Sequence, residues 1–257
     1  MKATGKPIIL MYHGTISGGA QIPADREPGA GLYDVAFEDF LEHIEYLKNY
    51  NYRVTTIGTE ESLEKAVIIT FDDGEMNNFQ NAFPVLKESG YPAYFFVTVK
   101  RIGKSGYMGW EELRRIRDAG MMVGSHGLNH EILTDLTDKK LEEELEVSKM
   151  QLEQNLKIQI DDFSVPRGFY DERILAKAEA AGYKNIFVSG KAPSDRKNCF
   201  GRIAVRGSWS VRRFDQALLR RMPLSELVVS SLKSLTKRVM GAQGYDRLRT
   251  TLLRARR

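Results

Sequence analysis

The chain has 257 residues, enough for one large domain with a sizeable core, and a single α/β barrel would consume most of that length. Its one cysteine, Cys199, excludes an intrachain disulfide and a thiolate metal cluster, so any metal must take nitrogen and oxygen ligands. The net charge of +4 hides an asymmetry, since residues 212–257 hold twelve Lys/Arg against three Asp/Glu while residues 1–211 hold 26 against 31.

The amino terminus runs straight into a strand without the apolar stretch of a secretory signal, and no later run is long enough to span a bilayer. A cytoplasmic product is expected, although a chain trimmed of a leader would read the same way. Lys6 to Tyr12 is an apolar run ending at His13, which either caps the strand or is satisfied in the core, or else serves a site at the strand's carboxyl end. Residues 14–33, rich in Gly, Pro, Ala and Asp, read as a long loop over the strand ends. Phe37, Phe40, Leu41, Ile44 and Leu47 recur at helical spacing to about Asn49, and His43 on that helix reads as structural. A strand follows from Tyr52 to Ile57.

Val67 to Phe71 is a buried strand that delivers Asp72 and Asp73 to its open end. Successive strand side chains point to opposite faces, so both acids can serve one site only where the strand gives way to a turn, which Gly74 permits. An Asp-Gly turn with two solvated acids is the alternative. Asn78 to Ser89 reads as a helix bent or shortened near Pro84, Tyr91 to Val99 as a buried strand, and residues 100–109 as a basic, glycine-containing loop. Trp110 opens a helix to Ala119, as a packing residue or as an aromatic platform for a sugar ring.

Met121 to Ser125 is a short strand ending in His126-Gly-Leu-Asn-His130. Two histidines four apart lie on one face of a helical turn, a spacing by which imidazoles share a metal. Thr137 to Leu156 is the longest helix, with Leu141, Leu145, Leu152 and Leu156 on its stripe and Glu142, Glu143, Glu144 and Glu146 expected on a solvated face. Strands return at 162–166, 185–189 and 202–205, with a helix from Asp171 to Ala181. Strands alternating with helices imply a parallel α/β sheet that closes most naturally into a barrel.

TFDDG followed some fifty residues later by SHGLNH resembles the first two motifs of the polysaccharide deacetylase family (the NodB homology domain, carbohydrate esterase family four), and the resemblance covers roughly residues 7–207. It implies a distorted (β/α) barrel of about seven parallel strands. Asp73, His126 and His130 then supply one carboxylate and two imidazoles, a set suited to a divalent metal, zinc above all, with a position left for water. Such an ion lowers the pKa of water and polarises a carbonyl, while Asp72 acts as the base. In the branch whose members open on a Tyr-His strand end, the resemblance makes His13 the acid that replaces a late histidine, and no histidine follows His130 here.

The third motif, Phe163 to Gly168, is implied to give a backbone N–H to the oxyanion, but it departs from the commoner form. Ser164 stands where many members carry the arginine that orients the catalytic aspartate, and Arg202, in the stretch Arg202-Ile-Ala-Val205, is the expected substitute. Arg167 stands where an aromatic residue is usual and points to a negatively charged substrate, although a surface arginine needs no ligand.

The expected function is removal of an N-acetyl or N-formyl group from an amino sugar of a glycan or a lipid-linked precursor. A pseudoenzyme that binds glycan or membrane on the same barrel is the rival from another class. Residues 1–211 would form the catalytic barrel and 212–257 a basic helical extension, which can pack on the barrel, lie on a membrane or meet nucleic acid. For residues 234–257, attachment to anionic lipid at the inner membrane face is preferred. No nucleic-acid reading motif accompanies the charge.

Overall fold

The computed structural model describes residues 6–59 and 64–221, together with the isolated positions Gly244 and Thr251. Strand β1 (Ile8–Tyr12) is followed by two short strands that pair with each other, β2 (Thr15–Ile16) and β3 (Val35–Ala36), then by helix α1 (Phe37–Asn49) and the two-residue β4 (Arg53–Val54). Only those two residues of the expected 52–57 strand are in the sheet. Strand β5 (Ala66–Phe71) leads through a π-helical turn at Asn78–Ala82 into α2 (Phe83–Glu88), and Pro84 sits where the wide turn gives way to the α-helix. Strands and helices then alternate as β6 (Ala93–Val97), α3 (Trp110–Asp118), β7 (Met122–Ser125), α4 (Asp138–Leu156), β8 (Asp162–Ser164), α5 (Glu172–Ala180) and β9 (Asn185–Ser189). The last elements are β10 (Cys199–Ala204) and α6 (Val211–Leu218).

All pairings between the long strands are parallel. The sheet runs β1-β10-β9-β8-β7-β6-β5, and β1 pairs with β5 from Ile8↔Val67 to Tyr12↔Phe71, closing a barrel of seven strands. β4 pairs with the first residues of β5, on the edge that β6 takes from Ile69 onward. A small inner cluster of Ile9, Ile68, Tyr94, Phe96 and Phe187 plugs the barrel, as period-two alternation requires. The larger core lies between the wall and the helices, where Leu10, Phe71, Leu113, Leu141 and Ile174 meet.

The expectation that the Glu142–Glu146 acids are all solvated is corrected at one position. Glu144 is buried, at 3% exposure, because it lies three residues from Leu141 and four from Ser148, on the packed stripe. His43 is buried in α1, accepts or donates a hydrogen bond with the Tyr12 hydroxyl at 3.1 Å, and stacks on Phe214 of α6 at 4.0 Å. The described start of the carboxy-terminal extension therefore packs on the barrel. The anchor assigned to 234–257 lies outside the described residues, apart from Gly244 and Thr251. Among the described residues, no helix is long and apolar enough to cross a membrane.

Candidate active site

The acids and histidines singled out in the sequence sit at the carboxyl ends of the strands. At the end of β5 the Asp72 N–H donates to Tyr12 O (3.0 Å), after which the chain enters the left-handed region at Asp73 (φ 73) and Gly74 (φ 76). That turn brings two consecutive acids to one side, and it needs glycine second, because a Cβ on Gly74 would meet Val97 at 2.9 Å. His130 (φ 64) and Arg167 (φ 61) are also left-handed, so three of the seven such non-glycine residues described lie around one cleft, a clustering of strain typical of functional sites.

The cleft is lined by His13, Glu27, Tyr33, Asp72, Asp73, His126, His130, Arg167 and Ser189, among others, and holds about 100 Å³, room for several waters or a small acyl group. One ligand atom each from Asp73, His126 and His130 lies within 4.8 Å of the others. Nε2 of His130 is 3.1 Å and Nε2 of His126 3.7 Å from Asp73 Oδ1. Each ring is held from behind, His126 Nδ1 by Ser164 O at 2.8 Å and His130 Nδ1 by Glu27 Oε1 at 2.5 Å. An acceptor at Nδ1 keeps the proton there and leaves Nε2 to bind a cation, so the donor set fits a divalent ion.

The segment from His126 to His130 is a loop and not the expected helical turn. Gly127 (φ 79) and His130 break any helix, and the loop is shaped instead by Glu144, whose carboxylate accepts from Leu128 N (2.9 Å), Asn129 N (3.0 Å) and Asn129 Nδ2 (2.5 Å).

Asp72 faces a different set of groups. Arg202, inside the barrel and 1% exposed, donates from Nη1 to Oδ1 (2.7 Å) and from Nη2 to Oδ2 (2.8 Å), and again to Ser164 Oγ (2.7 Å) and Thr70 Oγ1 (3.2 Å). Ser164 Oγ in turn lies 3.2 Å from Asp72 Oδ2. The guanidinium rests on the inner plug, 5.5 Å from the Phe96 ring centre. Arg202 and Ser164 thus meet the aspartate together.

Burial alone would neutralise these groups, and for all but His126 their neighbours decide otherwise. Asp72 is desolvated, yet Arg202 and His126 hold its carboxyl below the usual range. Asp73 is likewise buried, and His130, His13 and His126 hold it well below that range. Burial pushes His126 down to about 4, whereas Asp73 and Glu27 overcome the same burial at His130 and raise it to about 9.

His13 lines the same cleft with its ring 5.1 Å from that of Tyr33, and its Nδ1 is buried without a hydrogen-bond partner. Trp110 is not among the cleft residues. It starts α3 and packs against the core, so the sugar-platform alternative finds no support at that position. Sequence reasoning missed Glu27, Arg101 and Glu144. Arg101 is 7% exposed and bridges Asp73 Oδ1 (3.1 Å) to Glu27 Oε1 (2.6 Å).

The profile of the family described as "Polysaccharide deacetylase" matches residues 59–186, the span that holds Asp72, Asp73, His126, His130 and Ser164. The chain belongs to the polysaccharide deacetylase family. Among polysaccharide deacetylase relatives, it is 32% identical over 186 residues to YxkH of Bacillus subtilis, covering 68% of this chain and 62% of that protein. It is 30% identical over 133 residues to the peptidoglycan-N-acetylmuramic acid deacetylase PdaA of the same organism, covering 49% and 47%. The matches thus span about half to three fifths of these relatives' length. A solved polysaccharide deacetylase from Bacillus cereus shares the fold with a TM-score of 0.72 at 23% identity, over 83% of this chain and 69% of that one. His13 and Arg202 lie outside the profile match and join the site through the barrel alone.

Proposed function

We propose that the protein is a cation-dependent carbohydrate N-deacetylase that removes an acetyl or formyl group from an amino sugar of a glycan or lipid-linked precursor. The reading rests on one observation. Two adjacent buried carboxylates are set apart by their partners, Asp73 among the ring nitrogens of His126 and His130 and Asp72 on Arg202 and Ser164. The relatives named as deacetylases of peptidoglycan support the substrate class.

A divalent ion, zinc being the best match to one carboxylate and two imidazoles, would be held by Asp73, His126 and His130 and would supply an acidified water and a polarised carbonyl. Asp72, kept ionised by Arg202, accepts the proton of the attacking water. His13 donates a proton to the departing amine from the end of β1, the strand paired with β5. The Val165 N–H is already bonded to Phe187 O (2.9 Å) and Pro166 has none, so a backbone donor to the oxyanion from the third motif falls to Arg167 or Gly168. The Arg167 side chain at the cleft rim would favour a substrate carrying negative charge, such as a phosphate.

Acetate release from N-acetylated oligosaccharides, with ion content measured on the same samples, tests this reading. Asp72→Asn is expected to lose about 10²–10⁴-fold in kcat while keeping its ion, and Asp73→Asn to lose both. An ion-loaded Asp72→Asn variant with full activity would end the assignment. Action at the cytoplasmic membrane face through residues 234–257 is part of the proposal, and equal liposome sedimentation with and without them would remove it.

A further inference from the structure

Glu27 belongs to the long loop between β2 and β3, far in sequence from the residues it touches. Its Oε1 lies 2.5 Å from Nδ1 of His130 and 2.6 Å from Nη2 of Arg101, whose Nη1 reaches Asp73 Oδ1 at 3.1 Å. One carboxylate therefore acts on two of the three groups proposed to hold the cation, on His130 directly and on Asp73 through an arginine.

Loop anchorage does not account for this placement. The same loop is already fastened by Asp25 to the Tyr107 hydroxyl (2.9 Å), by Gln21 to Ser105 (2.6 Å), by Arg26 to Glu75 (2.8 Å), and by Pro23 closing over Gly106. Glu27 instead answers two needs of a cation centre. An imidazole that offers Nε2 must keep its proton on Nδ1, which a carboxylate at that nitrogen secures. A guanidinium beside a ligand oxygen repels an incoming cation, and a second carboxylate on the same guanidinium offsets that repulsion.

Building on the cation-site reading, we propose that Glu27 is a positioning residue for that centre, fixing His130 with Nε2 turned to Asp73 and offsetting the charge of Arg101. The loop that borders the cleft and the cation site would then be assembled as one unit.

The test is Zn²⁺ affinity of the full chain, measured by competition with a chromophoric chelator, and the visible spectrum of the Co²⁺ form. Glu27→Ala is expected to weaken Zn²⁺ binding about 10–100-fold and to change the Co²⁺ bands. Glu27→Gln retains an acceptor without the charge and provides a milder change should the alanine variant fail to fold. Asp25→Asn, on the same loop but away from the ligands, is expected to stay within about threefold of native affinity. Native Zn²⁺ affinity in Glu27→Ala overturns the inference alone, native affinity in Glu27→Gln overturns the charge offset, and an equal loss in Asp25→Asn overturns the positioning role. A native chain that takes up no divalent ion overturns the cation reading and the inference with it.

Discussion

Replacing Arg202 with methionine separates electrostatics from packing at the centre of the barrel. The guanidinium is 1% exposed and makes four side-chain hydrogen bonds, two of them the paired contacts at 2.7 and 2.8 Å to Asp72. Methionine keeps much of the volume above Phe96 but leaves Asp72 buried without its countercharge, and breaking a buried pair from one side costs about 3–5 kcal/mol. For a domain of this size each kcal/mol moves the midpoint about 2–4 °C, so thermal unfolding should drop by roughly 6–20 °C. The decisive measurement is a cycle of native, Arg202→Met, Asp72→Asn and the double variant in urea. If the stranded carboxylate carries the cost, the amide in the double variant should recover a large part of it, giving a coupling of about 0.5–3 kcal/mol. A loss below about 1 kcal/mol in Arg202→Met, or strict additivity in the cycle, would refute the reasoning.

Two further outcomes follow from buried groups outside the proposed chemistry. Glu144→Leu leaves the Leu128 N–H buried without its acceptor, about 1–3 kcal/mol in urea unfolding, and should weaken divalent-ion uptake because His130 follows in the same loop. His43 is pushed down to about 4 by burial against an ordinary value of 6.5, so between those values the unfolded chain binds a proton that the folded one refuses. The His43 contribution to stability should therefore be full above about pH 6.5 and fall by up to about 3 kcal/mol as the pH drops to about 4, and a urea series on His43→Gln should show a shallower fall over that window.

The barrel was legible because each strand is a run of apolar residues with clear ends and each helix carries a stripe. Asp72, Asp73, His126 and His130 stood out for a related reason, being polar groups at the ends of such runs. Glu144 was misread although its spacing from Leu141 and Ser148 already put it on the stripe, because four glutamates in five residues suggested a solvated face. The helical reading of residues 126–130 gave the histidine spacing more weight than Gly127, which permits the left-handed turn the chain takes. Glu27 and Arg101 carry no local signal. Nothing in their loops separates them from Asp25 or Lys100, and only tertiary contact at 2.6 Å joins them.

The two acids of the first motif, Asp72 and Asp73, and Glu75 just after it are all buried, and each meets an arginine from a different part of the chain: Arg202 of β10, Arg101 after β6, and Arg26 of the loop between β2 and β3. Asp72 and Asp73 would otherwise repel one another in a poorly solvated cleft, and burial pushes Glu75 up to about 7 even beside Arg26. The compensation is distributed, so the site is balanced only when the barrel is closed and both loops are seated. It also explains how Ser164 is accommodated on β8. What Asp72 meets is a guanidinium paired with both its oxygens, and inside a barrel a neighbouring wall can provide one from β10, with the serine hydroxyl bridging the two at 2.7 and 3.2 Å. Under the proposed reading of Asp72 as base, the serine in the third motif leaves the aspartate with a countercharge, supplied from β10 by Arg202.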